Sequence, residues 1–183
     1  MKIEALMIRV ITIACLIVAV PLLAHVQAEP PRPEIPKEIA VPDDHKLLVE
    51  VKAKGVQIYK AVEGKATLLW VLEGPLADLT DEKGGKAGCH YEGPAWEAAD
   101  GSKVNRDTSE AVKTVPAPDP KADIPWLLVR VKSDDKAGTF AGVVYIQRIN
   151  TAGGIAPAAA PKRVGTKVGV PYTAVYQLWV KAE

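Results

Sequence analysis

The chain has 183 residues, with 23 Lys or Arg and 22 Asp or Glu, so its formal net charge is +1. Non-specific binding of nucleic acid depends on clustered basic side chains that neutralise phosphates, and the sequence contains no basic block. The composition therefore argues against a nucleic-acid partner. The length suits one domain behind a leader segment.

The first 28 residues have the pattern of a signal peptide. Lys2 and Arg9 provide a charged start, and the apolar stretch 10–23 is shorter than the ~20 residues that span a bilayer. Small residues at positions 26 and 28 predict cleavage after Ala28. We therefore expect export to the periplasm or the exterior, with no stable membrane anchor after cleavage. An uncleaved anchor is the alternative.

The segment after the predicted cleavage site is rich in proline. Residues 29–42 read EPPRPEIPKEIAVP, a composition that favours extended, solvated backbone. We therefore predict a disordered linker over 29–44, followed by one domain over 45–183.

Cleavage also leaves Cys89 as the single cysteine, so the mature domain cannot form an internal disulfide and depends on its core.

Beyond residue 44, short apolar-alternating runs are separated by turn signals. The turns are predicted at Glu63-Gly64, at 81–85 and at Asp100-Gly101. No segment carries a helical apolar stripe of three turns. The clearest strand candidates are 45–52, 55–61, 67–73, 124–132, 140–149 and 172–181. The pattern predicts an all-β fold, a single-domain antiparallel β-sandwich or partly closed β-barrel of about ten short strands.

The stretch 88–102, GCHYEGPAWEAADGS, holds the candidate ligand pocket. Trp96 follows a Gly-Pro step and lies among acidic residues, and such a tryptophan can stack on a sugar or another flat ligand. In the alternative interpretation, Trp96 folds back as a plug over one sheet and His90 holds the loop with a hydrogen bond. The candidate pocket residues are His90, Glu92, Trp96, Glu97 and Asp100.

Catalytic and metal-binding interpretations find less support in the sequence. Cys89 and His90 are neighbours, and neighbouring strand residues point to opposite faces, so they are poorly placed to act together. A metal site built from His45, His90 and carboxylates stays open as an alternative. Ser102 follows Asp100-Gly101, where a turn role is favoured over a nucleophile. We assign no catalytic residue, no metal and no cofactor.

These observations favour a non-enzymatic domain that binds a small molecule or carbohydrate, or that interacts with an unknown partner. The alternative is a cofactor-free or metal-assisted hydrolase that uses His90 and the Trp96 region together with Glu92, Glu97 or Asp100.

Five sequence blocks resemble, in matching order, an exported bacterial and fungal family called domain of unknown function 3455. The blocks are GVQIY (55–59), GCHYEGPAWEAADGSKV (88–104), IPWLLV (124–129), YIQRINTAGGIAP (145–157) and VPYTAVYQLWV (170–180). The resemblance implies no established activity. Some fungal relatives carry a malate dehydrogenase label, which this sequence does not support because it has no GxGxxG between a strand and a helix.

The resemblance also implies a difference from relatives. Members typically carry a cysteine after the GVQIY block and another before VPYTA, whereas this chain has Ala61 at the first position and none in the later loop. If those cysteines pair in relatives, this protein lacks that disulfide.

Overall fold

The computed structural model describes residues 34–183. The predicted signal peptide, 1–28, and the first part of the predicted linker, 29–33, lie outside the described residues, so cleavage and export remain predictions. No helix within 34–183 has the length and apolar character needed to span a bilayer.

Nine β-strands form one antiparallel sheet within the described part of the chain, preceded by a short 3₁₀ helix, Lys37–Ile39. The strands are neighbours in the order β5-β4-β3-β2-β1-β9-β8-β7-β6. Their bounds are β1 His45–Glu63, β2 Leu68–Thr80, β3 Lys86–Tyr91, β4 Ala95–Ala98, β5 Lys103–Arg106, β6 Lys113–Val115, β7 Trp126–Ser133, β8 Val143–Gly153 and β9 Lys167–Lys181.

The sheet closes on itself through β7. One edge of this strand pairs with β6 near Trp126 and with β5 near Ser133, and the other edge pairs with β8. Every strand except β6 therefore follows its neighbour around a ring. The predicted all-β antiparallel class, a sandwich or partly closed barrel, is confirmed. A closed ring leaves few unpaired strand edges, which stabilises a sheet of this size.

β1 is continuous where the sequence suggests two strands separated by Ala53-Lys54. The strand pairs with β2 along one edge and with β9 along the other, and Ala53 and Lys54 are paired with residues of both strands. Ala53 is 2% exposed and belongs to the interior. Gly55 is also required for packing, because a Cβ there would lie 2.1 Å from the carbonyl oxygen of Leu76 on β2. The small residues thus permit close approach of strands rather than marking a turn.

The three predicted turns are confirmed. Glu63 ends β1 and Gly64 begins the link to β2, while 81–85 joins β2 to β3. Asp100-Gly101 joins β4 to β5, and Gly101 has φ +80°, a left-handed conformation that favours glycine.

The interior of the ring contains a packed apolar core. On β7, Val129 and Val131 face this core, whereas Trp126 and Leu128 face a second cluster on the other side of the strand. Fully or almost fully buried residues of the inner core include Val51, Leu79, Val104, Phe140, Ile146, Tyr176 and Leu178. Both faces of β7 are therefore covered, as expected for a strand with apolar residues on both sides.

Residues 34–44 are the part of the predicted linker that the structure describes, and they contact the sheet. The 3₁₀ helix packs against β6 and β7, and Ile39 is fully buried in an apolar cluster that includes Trp126 of β7 and Ile149 of β8. The side-chain amide of Gln147 donates a 2.7 Å hydrogen bond to the Ile39 carbonyl. Proline composition thus identifies extended backbone in this segment, but the apolar Ile39 fixes it to the sheet.

Candidate functional site

A cavity of about 270 Å³ lies inside the ring of strands. Each of the eight strands of the ring contributes at least one residue to its wall. Leu72, which is 51% exposed, forms part of the rim. The lining residues are Gln57, Leu72, Glu73, Gly74, Pro75, His90, Gly93, Pro94, Trp96, Arg106, Val112, Leu127, Val129, Arg148 and Tyr176. Ligand sites commonly occupy the mouths of such ringed β-sheets.

An aromatic cluster forms the inner part of the wall. The rings of His90 and Trp96 are stacked, with centroids 4.1 Å apart and planes inclined by 10°. Tyr176 meets both edge-on, at 5.1 Å from His90 and 5.8 Å from Trp96. The edge-on contacts of Tyr176 suit the aromatic quadrupoles, and the three rings pack together as one cluster.

His90 is uncharged at neutral pH. Its Nδ1 lies 2.8 Å from the carbonyl oxygen of Ala95, and because a carbonyl only accepts, Nδ1 carries the proton and donates. The pKa of His90 is lowered to about 3, chiefly by burial; the bond to Ala95 opposes this effect, and the nearby charge of Arg148 adds to the lowering. Nε2 therefore holds a lone pair.

The structure brings His90 and Trp96 together but leaves the three predicted acids away from the cavity wall. Trp96 faces inward on β4, so the next residue, Glu97, faces outward. Glu97 accepts a 2.6 Å hydrogen bond from the Tyr91 hydroxyl, which raises the pKa of Tyr91 to about 12. Glu92 is exposed and does not line the cavity. The ligand-pocket assignment as a whole stays a prediction.

Asp100 has a structural task in the β4–β5 connection. Its carboxylate accepts hydrogen bonds from the backbone and hydroxyl groups of both Ser102 and Thr139, at 2.6–2.9 Å. These bonds hold the pKa of Asp100 well below its usual range. The Ser102 hydroxyl also accepts from the Phe140 backbone amide at 3.0 Å, so Asp100 and Ser102 together fix the loop before β8.

Nucleophile and metal arrangements find little support among the described residues. Cys89 is half-buried on the face of β3 opposite His90, and burial raises the pKa of its thiol. The Ser102 hydroxyl is occupied by Asp100. Within 34–183, no group of three or more His, Cys, Asp or Glu side chains is arranged to hold a metal ion.

Two arginines on the wall were not anticipated from the sequence. Arg106 lies at the end of β5 and Arg148 lies within β8, and both flank β7 across its two edges. No carboxylate of residues 34–183 lies within ion-pair distance of either guanidinium, although five other pairs of a Lys or Arg with a carboxylate do form there. A sequence pattern that could have identified them is a charged residue on the inward face of an apolar strand. Arg148 is an example, because it lies two residues after the buried Ile146 and therefore on the same face of β8.

Three buried N–H groups of the wall have no hydrogen-bond partner among the described residues. They are Nε2 of Gln57, Nε1 of Trp96 and Nε of Arg106. Gln57 is 2% exposed and Trp96 is 3% exposed. Buried polar groups without partners are rare and each costs about 1–3 kcal/mol. Half of the six such side-chain atoms among the described residues line this cavity, and the other three belong to His45, Trp126 and Trp179.

The chain matches the model of a family described as a protein of unknown function, DUF3455, over residues 42–180. The match covers β1 to β9 almost completely. Neither the curated proteins nor the solved structures include a match to the chain. The match spans well over half of the chain, so the protein belongs to the DUF3455 family.

Proposed function

We propose that the protein is a non-enzymatic binding domain that takes a small molecule into the cavity inside the strand ring. The observation that carries this proposal is a cavity of about 270 Å³ that reaches the stacked His90–Trp96 pair. A concave, largely apolar space with a few polar groups is the usual form of a ligand site. The pattern of residues 1–28 supports a further proposal, that the domain acts outside the cytoplasm.

The wall favours a small ligand with an apolar body. At about 30 Å³ for each water, the cavity holds the volume of roughly nine waters. Apolar side chains such as Leu72, Val112 and Leu127 occupy much of the wall. Trp96 is 3% exposed and one of its faces is covered by His90, so it presents no open platform on which a sugar could stack.

Hydrolysis is less well supported than binding. A histidine whose pKa is about 3 is a weak general base near pH 7, where efficient bases have a pKa close to the ambient pH. The one acid on the wall, Glu73, forms a 2.6 Å ion pair with Lys167. The geometry therefore favours a site that holds a ligand without transforming it.

A fragment screen tests the binding proposal. Ligand-observed NMR of the purified protein with a panel of small aromatic and aliphatic compounds should find binders. Leu72→Trp, which adds bulk at the rim, should weaken their binding about tenfold or more. Leu69→Trp is the matched control, because Leu69 lies on the same strand and is 49% exposed but does not line the cavity.

The expected stability change provides a second measurement. A ligand at 100 times its dissociation constant should raise the free energy of unfolding by about 2.7 kcal/mol in the wild type and in Leu69→Trp. A panel with no binder, or binding that both variants weaken equally, would contradict a ligand site in this cavity.

A further inference from the structure

We infer that the ligand of this cavity is a small organic anion, a carboxylate on an apolar body, which Arg106 and Arg148 hold. The inference rests on the binding function proposed above and adds the chemical class of the ligand.

Arg148 is held in place with its charge uncompensated. Its Nε and Nη2 both donate to the carbonyl oxygen of Pro125, at 3.2 and 2.8 Å. A carbonyl fixes the guanidinium but supplies no negative charge, and the side chain keeps further N–H donors for another acceptor. Its positive charge also reaches the aromatic cluster, where it contributes to the lowered pKa of His90.

Arg106 presents the second charge from the opposite side of β7. Its backbone is paired with Val131, whereas Arg148 is paired with Leu127, so the inward face of β7 lies between the two side chains. Arg106 is partly buried, and its Nε has no hydrogen-bond partner among residues 34–183. A buried N–H without a partner is costly, and an incoming anion would relieve that cost if the Arg106 side chain shifts to bring this Nε to it.

The remaining wall charges leave the cavity positive. Glu73 is the one acidic residue among those that line it, and Lys167 neutralises it at 2.6 Å. His90 is neutral, so it adds no charge. The two arginines are always protonated, and together they leave an excess of two positive charges around a small, mostly apolar space.

The neutral polar groups favour the same ligand chemistry. Gln57 Nε2 and Trp96 Nε1 are donors without a partner, and all the guanidinium nitrogens are donors, so these groups match an acceptor on the ligand. Water does not reach Gln57 Nε2 or Trp96 Nε1, so they contribute only if their side chains shift as the ligand enters. The lone pair of His90 Nε2 is a neutral acceptor on the same wall. The planar fork of a guanidinium fits a carboxylate in a bidentate manner, and the apolar wall accommodates the rest of the molecule.

Three isosteric probes test the charge of the ligand. Benzoate, benzamide and benzamidine share one ring and carry a negative, a neutral and a positive head group. Isothermal titration of the wild-type protein should give a dissociation constant for benzoate about tenfold or more below that for benzamide, since charge-assisted hydrogen bonds are the stronger ones. Benzamidine should not bind measurably.

Single substitutions test the two arginines. Arg106→Gln and Arg148→Gln should each reduce the preference for benzoate over benzamide to about threefold or less, while benzamide binding persists and reports a folded cavity. Arg163→Gln is the control, because it removes the same charge from an exposed position off the cavity wall. Arg148→Lys keeps a positive charge and should retain part of the preference, which separates charge from folding if Arg148→Gln is unstable.

The outcomes separate this inference from the binding proposal. Equal affinity for benzoate and benzamide, with both weakened by Leu72→Trp, would overturn the anionic ligand and leave the binding site standing. No binding of any probe or fragment would overturn both. A preference unchanged in both Gln variants would overturn the role of the arginines. Inorganic phosphate that binds as tightly as benzoate would overturn the requirement for an apolar body.

Discussion

Replacing His90 with Asn tests whether the ring at the back of the cavity is held neutral. Asn keeps an N–H that can donate to the Ala95 carbonyl, which the His90 Nδ1 now approaches at 2.8 Å. It removes the titrating ring and the stacking on Trp96. At pH 7.5 the variant should therefore be less stable than the wild type, by about 0.5–1.5 kcal/mol for the lost aromatic pair and by more for the space left behind.

The informative quantity is how this difference changes with pH. The pKa of His90 falls from 6.5 to about 3 on folding, so between these values the unfolded state binds more protons than the folded state. The free energy of unfolding of the wild type therefore decreases as the pH falls, by about 1.36 kcal/mol for each unit below 6.5. From pH 7.5 to 4.5 this amounts to about 2.7 kcal/mol. His90→Asn lacks this loss, so its deficit should shrink by that amount.

Urea unfolding at pH 4.5, 5.5, 6.5 and 7.5, followed by tryptophan fluorescence, measures the two curves. Cys89→Ser is the control, because the neighbouring thiol has a raised pKa and stays protonated throughout this range. It should follow the pH dependence of the wild type. Parallel curves for His90→Asn and the wild type would refute the buried, neutral histidine.

Two other substitutions test the surroundings of the site. Ile39→Ala should lower the free energy of unfolding, measured in urea, by about 2–5 kcal/mol because Ile39 is fully buried. Lys37→Ala, at an exposed position, is the control and should have little effect. Equal effects of the two substitutions would contradict the packing of the N-terminal segment. Glu97→Gln should lower the pKa of Tyr91 from about 12 towards 10 in an ultraviolet titration, with Tyr91→Phe identifying the signal; an unchanged titration would mean that the hydrogen bond is absent.

The fold class follows from the sequence because alternation and turn residues are local signals. Asp100-Gly101 and Glu63-Gly64 identify hairpins without any knowledge of distant contacts. The continuity of β1 could not be predicted in this way, since Ala53 and Gly55 are small in order to pack against β2 and β9. A small residue looks the same in a sequence whether it marks a turn or allows neighbouring strands to pack closely.

The candidate site was predictable only in part. His90 and Trp96 lie close together in sequence and pair across β3 and β4, so a local reading finds them. Glu97 and Asp100 are equally close in sequence but do not line the cavity. Glu97 faces outward, as strand alternation explains once the bounds of β4 are known, and Asp100 holds the turn after β4. Arg106 and Arg148 join the site only through ring closure, which no local pattern reveals.

Closure through β7 also explains how this cavity carries positive charge without interrupting the apolar core. The inner end of the ring is filled by apolar side chains such as Val104 and Ile146. Arg106 and Arg148 each lie two residues further along β5 and β8 on the same inward face, where the packed core gives way to the cavity. A leucine at either position would extend the core and fill the space. The inward position of both arginines therefore agrees with the proposed anion site in this cavity.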